Sequence, residues 1–249
     1  MNKDIYTIVL AAGKGTRMNS DLPKVLHKIC GRPITSYTLD ILNQLKYKIV
    51  LVVGYKKELV QKEFGNKYKY AVQRKQLGTG HAVASAENQI PKEVKTILVL
   101  NGDDSAFYKP ETIKGLVQKH IDNQNIISFM SLISSDPTGF GRIKRDTANN
   151  IIEIVEEKDA SKEEKSIQEI NVGIYCFDSQ FLWNSLPKLA KNKMSGEYYL
   201  TDLIQLAVSQ GKKINTYSLK DNQEWIGINT LEQLQVANKQ MQICQNIKK

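Results

Sequence analysis

Eight short apolar runs, spaced along the chain between helical patterns, constrain its fold more than any other feature. Strands are expected at Tyr6–Ala12, Lys48–Gly54, Tyr68–Val72, Thr96–Leu100, Ile126–Ile133, Ile151–Glu156, Val172–Phe177 and Ile214–Leu219. Each run is too short for a helix, and most are rich in β-branched residues, as in strands buried on both faces. Amphipathic stretches lie between them at Pro33–Leu45, Gly80–Ile90, Pro110–His120, Gln180–Leu189 and Tyr198–Gln210. In the first, Ile34, Tyr37, Ile41, Leu42 and Leu45 share one helical face. Pro33 there suits the first helical position, where a missing N–H costs nothing. Alternating strands and helices build an α/β domain of three layers around a mainly parallel sheet. Residues 139–159 break the pattern. Two short strands flank Thr147-Ala148-Asn149-Asn150, which predicts an antiparallel hairpin.

No Pro/Gly/Ser-rich linker, internal repeat or low-complexity tract divides the chain. With 249 residues and 41% hydrophobic content, it can bury a large core. Residues 1–228 are expected to form one domain, and 229–249 a C-terminal helix on it, with Thr230 and Gln233 spaced as a capping box. No window reaches the ~18 uninterrupted apolar residues of a membrane span. The run from Ile5 to Ala12 is too short for a secretion signal, lacks a cleavage site and leads straight into a glycine loop. Cys30, Cys176 and Cys244 form neither a CxxC pair nor a disulfide framework, which fits a reducing, cytoplasmic compartment. The formal charge is +9, but the basic residues are scattered. They read as a solvated surface, so neither nucleic acid nor membrane is an expected partner.

The first strand runs directly into Gly13-Lys14-Gly15-Thr16-Arg17-Met18. The Walker pattern is absent, and a dinucleotide fingerprint needs a small residue where Met18 stands. What remains is a glycine loop at the carboxyl end of a strand, whose N–H groups can cup phosphate without side-chain obstruction. Arg17 adds a planar fork for phosphate oxygens. Lys24 adds a compact charge after the turn through Asp21-Leu22-Pro23.

The run LAAGKGTRMNSDLPKVLH is followed in order by QLGTGHA, PTGFGRI, IVEEKDAS, QEINVGIY, GEYYLTD and GIN. Together these motifs resemble the signature of sugar-nucleotide pyrophosphorylases. They are most similar to the uridyltransferase half of bacterial bifunctional N-acetylglucosamine-1-phosphate uridyltransferases, from about Ile5 to Ala237. The resemblance implies a three-layer Rossmann-like nucleotidyltransferase fold with a mixed, mainly parallel sheet, an antiparallel hairpin insertion and a C-terminal helix. It implies transfer of UMP from UTP to N-acetylglucosamine 1-phosphate, yielding UDP-N-acetylglucosamine and pyrophosphate, assisted by Mg2+. On the nucleotide side it assigns Ala12 and Gly13 to the nucleoside, with Gly15 in the same loop, and Arg17 and Lys24 to the phosphates. Gln73 and Gly78, with Thr79 beside them, are implied to read the uracil edge. From the residues alone, Gln73 reads rather as a polar strand end at the surface.

Strand Thr96–Leu100 leads into Asn101-Gly102-Asp103-Asp104, placing a carboxylate at the strand's carboxyl end, where open α/β sheets bind ligands. The resemblance makes Asp103 and Asn229 the metal ligands. An Asn at position 229 would also serve as a helix cap. The family carries a hydrophobic residue, Pro and Leu after the aspartate, whereas this chain reads Asp104-Ser105-Ala106-Phe107. Asp104 then shares the metal, adds local negative charge or faces solvent. For the sugar phosphate, the resemblance implies Gly141, Glu156, Asn171, Tyr199 and Thr201. The alternatives are an exposed strand-end charge for Glu156 and a helix-start core position for Tyr198 and Tyr199.

A sugar 1-phosphate with a second pKa near ~6 is already ionised at neutral pH, so no side-chain base is required. Catalysis then rests on positioning and charge neutralisation. The bifunctional relatives continue into a β-helix that acetylates glucosamine 1-phosphate. The hexapeptide repeat of that domain is not found in this sequence, so no acetyltransferase activity is expected, and oligomeric state stays open. Other readings are another sugar 1-phosphate or nucleotide, a non-catalytic sugar-nucleotide binder, and, from the charge alone, a nucleic-acid binder.

Overall fold

The computed structural model describes residues 5–103 and 106–247, with side chains described as far as Cys244. In chain order the strands are β1 (Ile5–Ala11), β2 (Lys28–Ile29), β3 (Arg32–Pro33), β4 (Lys48–Val53), β5 (Lys69–Val72), β6 (Thr96–Asn101), β7 (Ile127–Ile133), β8 (Arg142–Arg145), β9 (Ile151–Val155), β10 (Glu169–Asp178) and β11 (Ile214–Ser218). The helices are α1 (Ile34–Gln44), α2 (Lys57–Phe64), α3 (Thr79–Ala84), α4 (Pro110–Asp122), α5 (Lys162–Lys165), α6 (Ser179–Ser185), α7 (Asp202–Ser209) and α8 (Leu231–Ile247). All eight expected runs form strands, and β8 and β9 form the expected antiparallel hairpin.

Alternation along each central strand splits its side chains between two cores. Val9, Ile49, Leu51, Leu98 and Leu100 face one side, packed with Leu39 and Leu42 of α1, Val60 of α2 and Leu116 of α4. Ile8, Val50, Val52, Ile97 and Val99 face the other, against Val83 of α3, Leu182 of α6 and Leu203 and Ile204 of α7. These are the three layers. The sheet runs β11-β7-β10-β6-β1-β4-β5, with β8 and β9 attached through β10. Neighbours around β1 are parallel, whereas β10 runs antiparallel to β6 and β7.

From β1 the chain moves outward to β4 and β5, then returns to β6 on the opposite flank of β1. Such a reversal opens a crevice at the carboxyl ends of the two central strands. The glycine loop leaves β1 there, and Gly102-Asp103 leaves β6 beside it.

Several local expectations change. Pro33 is not the first helical residue: it is extended (φ −52°, ψ 140°), pairs with Lys28 and caps α1 from outside. Helices α2 and α5 escape a periodicity reading because α2 buries only Val60 and α5 buries nothing. Helix α6 stops at Ser185, where Pro187 sits in a tighter 3-10 turn. Helix α3 stops at Ala84, short of the expected Ile90. Helix α7 begins at Asp202 rather than Tyr198, because residues 198–200 bond elsewhere.

Helix α8 has the expected capping box. Gln233 N–H donates to Thr230 Oγ1 at 3.3 Å, and Thr230 N–H donates to Gln233 Oε1 at 3.2 Å. Ala237 and Met241 pack against Ile29 and Ile34, and Asn238 Oδ1 accepts from the Cys30 N–H at 2.8 Å. The last helix is thereby docked on the segment that follows the glycine loop. Among the described residues no helix is long and apolar enough to cross a membrane.

His120 of α4 is buried, with Nδ1 3.1 Å from Ser128 Oγ, and burial pushes its imidazole down to about 4 from the ordinary 6.5. A depressed histidine contributes stability above pH 6.5 that is lost as pH falls toward 4, because the unfolded chain takes the proton first. Urea unfolding of wild type and His120→Gln at pH 7 and pH 5 should show wild type losing about 2 kcal/mol more across that interval. Equal losses in the two proteins would remove His120 as the cause.

Candidate active site

Gly15 shows why the loop needs glycine. Its φ is +66°, and a Cβ added there would lie 2.6 Å from Lys24 Cβ. Only a residue without a side chain takes that backbone without strain and lets the Lys24 turn come so close. Gly13 differs, since a Cβ there would meet nothing within 4 Å. Its bareness is not demanded by packing, and the space beside it is open. Behind the loop, Ala12 is buried and its carbonyl accepts from the Tyr55 N–H at 3.0 Å.

Four of the expected residues converge. Lys24 is only 8% exposed, so its ammonium needs a counter-charge. Nζ lies 2.8 Å from Asp103 Oδ2 and donates to Asn229 Oδ1 at 2.9 Å. Arg17 Nη2 donates to the same Asn229 oxygen at 2.9 Å. Asp103 is held from behind: the Gly102 N–H donates to Leu10 O at 2.9 Å, and Thr35 Oγ1 donates to Gly102 O at 2.5 Å. The Asn229 N–H donates to Gln233 Oε1 at 2.7 Å. The side chain of Thr230, not that of Asn229, caps α8, so the cap alternative for Asn229 is set aside. Its amide oxygen points instead at two cations.

Gln73 is not a surface residue, since it is 3% exposed. Its Nε2 donates to Gly78 O at 3.0 Å and lies 3.0 Å from His81 Nδ1. The Gly78 carbonyl fixes which end of the amide is the NH2, and His81 Nδ1 then accepts, leaving the ring proton on Nε2. With both amide hydrogens donated, Oε1 is the end that remains to accept from a ligand. Gly78 has φ +101°, and a Cβ there would sit 2.5 Å from Tyr198 O. That close approach comes from a stitch between two distant segments. The Tyr198 N–H donates to Leu77 O at 2.8 Å, Gly80 N–H to Tyr198 O at 2.8 Å, and Leu200 N–H to Thr79 Oγ1 at 2.9 Å.

Thr201, just beyond that stitch, donates through Oγ1 to Glu156 Oε1 at 2.8 Å. Burial pushes the Glu156 carboxyl above its ordinary range, opposed by the Thr201 bond and reinforced by Asp202, Asp159 and Glu197. A Cβ on Gly141 would lie 3.6 Å from Glu156 Oε2, so these two expected residues are neighbours. Tyr199 is partly buried, and burial raises its phenol. Asn171 is tied up within the chain: Nδ2 donates to Tyr175 OH at 2.6 Å, and Oδ1 accepts from the Gly173 N–H at 3.2 Å. It braces a register shift in β10, where Gly173 has φ +77°. The Asn171 N–H also donates to Gly141 O at 2.9 Å.

Sequence reasoning missed Arg142 and Glu157. Arg142 is 1% exposed, donates to Phe140 O, and meets Glu157 Oε2 at 2.7 Å. The same carboxylate oxygen accepts from the Gly139 N–H at 3.0 Å. Phe140 packs edge-on against Trp225 at 4.8 Å, and a Cβ on Gly139 would lie 3.9 Å from Arg17 Nη1. A buried arginine thus clasps the turn that bridges the cationic cluster and Gly141. The alternation of RIKR gives no hint that its first residue, an arginine, is buried along with Ile143. Asp104 lies outside the described residues.

Two variants probe this region. Gly15→Ala should cost about 1–3 kcal/mol through its left-handed backbone alone, and more as Lys24 shifts; chemical denaturation measures it. Asp202, at the start of α7, is pushed up to about 6 from 3.8 by burial, with Asp159 and Glu153 adding to it. A raised carboxyl favours the folded state at low pH, and that contribution is lost as pH rises through 6. Asp202→Asn should therefore be more stable than wild type by about 1–2 kcal/mol at pH 7. The difference should close toward pH 4, in denaturation curves at both pH values.

Residues 6–243 match the nucleotidyl transferase family. The bifunctional protein GlmU of Enterococcus faecalis is 42% identical over 237 residues, which are 95% of this chain and 52% of the relative. That of Caldanaerobacter subterraneus subsp. tengcongensis is 41% identical over 240 residues, 96% of this chain and 52% of the relative. The chain spans about half the length of the curated relatives it matches. A Bacillus anthracis structure assigned as a glucose-1-phosphate thymidylyltransferase superposes with a TM-score of 0.77 at 25% identity, covering 94% of each chain. A UDP-glucose pyrophosphorylase complexed with UDP-glucose shares the fold, with a TM-score of 0.81 at 19% identity over 96% of this chain and 98% of that one. The family match runs nearly end to end, and the chain belongs to the nucleotidyl transferase family.

Proposed function

We propose that this chain transfers the uridylyl group of UTP to N-acetylglucosamine 1-phosphate, releasing pyrophosphate and forming UDP-N-acetylglucosamine. One observation carries the reading. Arg17, Lys24, Asp103 and Asn229 come from four separate segments and meet within 2.9 Å contacts at the carboxyl ends of β1 and β6. That meeting, in a chain about 40% identical to GlmU proteins over most of its length, favours polyphosphate chemistry.

The donor set fits a divalent cation. Asp103 Oδ2 and Asn229 Oδ1 both address one point, now the Lys24 ammonium, at 2.8 and 2.9 Å. Magnesium takes one or two protein oxygens and fills its shell with water and phosphate. Among the described residues there is no group of three or more His, Cys, Asp or Glu that would hold a metal instead. Bound there, Mg2+ would supply neutralisation of phosphate charge and polarisation of a phosphoryl oxygen.

The chain's own residues do the rest. Arg17 and Lys24 neutralise and orient the phosphates, and the N–H groups of Gly13 to Gly15 approach them without a side chain in the way. Gln73 Oε1 accepts a base N–H. Uracil presents one at N3, whereas cytosine presents an acceptor there, so UTP is preferred over CTP. On the other side, Glu156, Asp159, Glu197 and Asp202 form an acidic wall. Carboxylates repel a phosphate and accept from hydroxyls, so the sugar hydroxyls turn toward Glu156 and Thr201 and the phosphate toward Arg17 and Lys24. Gly141 beside Glu156 leaves room for a substituent. The incoming phosphate oxygen is already ionised, and no residue has to remove a proton from it.

The test is pyrophosphate release with Mg2+, each NTP, and either N-acetylglucosamine 1-phosphate or glucose 1-phosphate. UTP with N-acetylglucosamine 1-phosphate should be the best pair. Lys24→Ala and Asp103→Ala should each lower turnover at least 100-fold, with circular dichroism unchanged. Absence of pyrophosphate release with every NTP would end the enzymatic reading, and a preference for glucose 1-phosphate would replace the sugar.

A further inference from the structure

The position expected for a metal is taken by a cation of the chain itself. Lys24 Nζ lies 2.8 Å from Asp103 Oδ2 and 2.9 Å from Asn229 Oδ1. A magnesium ion bound to those two oxygens sits about 2.1 Å from each, inside the space the ammonium fills. Asn229 Oδ1 has two lone pairs, and both are engaged, one by Lys24 Nζ and one by Arg17 Nη2 at 2.9 Å. Asp103 is the one carboxylate within ion-pair distance of Lys24 among the described residues. Lys24 is 8% exposed, so an ammonium driven off Asp103 needs another anion at once.

We propose that Lys24 is a resident counter-cation of the metal position, rests on Asp103 and Asn229 until a polyphosphate arrives, and couples metal binding to nucleotide binding. The inference rests on reading Asp103 and Asn229 as the metal pair. Lys24 holds the two oxygens together although they come from segments more than a hundred residues apart. A divalent ion enters as the ammonium swings away, and the swing is favourable only when phosphate oxygens receive it. The same phosphate oxygens draw Arg17 off the second lone pair of Asn229. Only the side chain has to move. The backbone of Lys24 is pinned in its 3-10 turn by the His27 N–H, which donates to Lys24 O at 3.1 Å, and by Gly15 pressed against its Cβ. Metal alone therefore binds weakly, and removing the Lys24 charge strengthens it.

The experiment titrates Mn2+ into the full chain without nucleotide and reads free Mn2+ by electron paramagnetic resonance. Mn2+ accepts the same oxygen-rich octahedral environment as Mg2+. Lys24→Met should bind Mn2+ at least tenfold more tightly than wild type, while Lys24→Arg, which keeps the charge, should stay weak. Adding Asp103→Asn to Lys24→Met should abolish the gain. Circular dichroism checks that each variant is folded, and Lys24→Gln replaces Lys24→Met if the latter is not. Equal or weaker Mn2+ binding in the folded uncharged variant overturns the inference; if that binding still depends on Asp103, the metal pair itself stands. Tight binding that survives Asp103→Asn means Mn2+ lies elsewhere, and both the metal pair and the inference fall.

Discussion

A parallel strand buried on both faces has nothing to offer a ligand except its ends, and β1 is such a strand. It pairs in register with β4 over Tyr6–Ala11 and with β6 over Ile5–Leu10, so the carboxyl ends of β1 and β6 lie side by side. Because the chain leaves β1 in one direction and returns on its other flank, no crossover helix covers that edge. The glycine loop and Asp103 are neighbours for this reason alone, although about ninety residues separate them.

Charge in the molecule is arranged in two regions along that edge. Arg17 and Lys24 face one carboxylate and one amide at the ends of β1 and β6. Glu156, Asp159, Glu197 and Asp202 gather around the hairpin and α7, where burial first, and neighbouring carboxylates second, make Glu156 and Asp202 hold their protons longer than free carboxyls do. Between the two regions lies the turn clasped by Arg142 and Glu157. A fully buried guanidinium is costly to desolvate, and its two backbone-directed tasks, on Phe140 and through Glu157 on Gly139, explain why it is kept. The ionic network sets where the turn sits, and the turn sets how Gly141 faces Glu156.

Much of the fold was legible in the chain. Continuous apolar runs such as IVLVV and TILVL mark strands that must be covered on both sides, and Thr230 with Gln233 marks the start of α8 without tertiary help. The weakly apolar α2 and the polar α5 were not legible, because burial is what periodicity detects. The start of α7 was misplaced because the backbone of Tyr198 and Leu200 is committed to Leu77, Thr79 and Gly80, a partnership more than a hundred residues away. The role of Asn171 as a brace within β10 likewise depends on Gly173 and on the partner strands.

By itself the sequence determined the three-layer α/β class, the phosphate-competent loop after β1, the carboxylate after β6 and the capped last helix. Each of these follows from local backbone freedom, side-chain period or hydrogen-bonding reach. Only the tertiary structure decided which distant groups meet: Asn229 with Lys24 and Arg17, and Tyr198 with Leu77 and Gly80. A contact between segments two hundred residues apart has no signature in either one. It is set by strand order and helix docking, which arise only when the whole apolar surface is buried together.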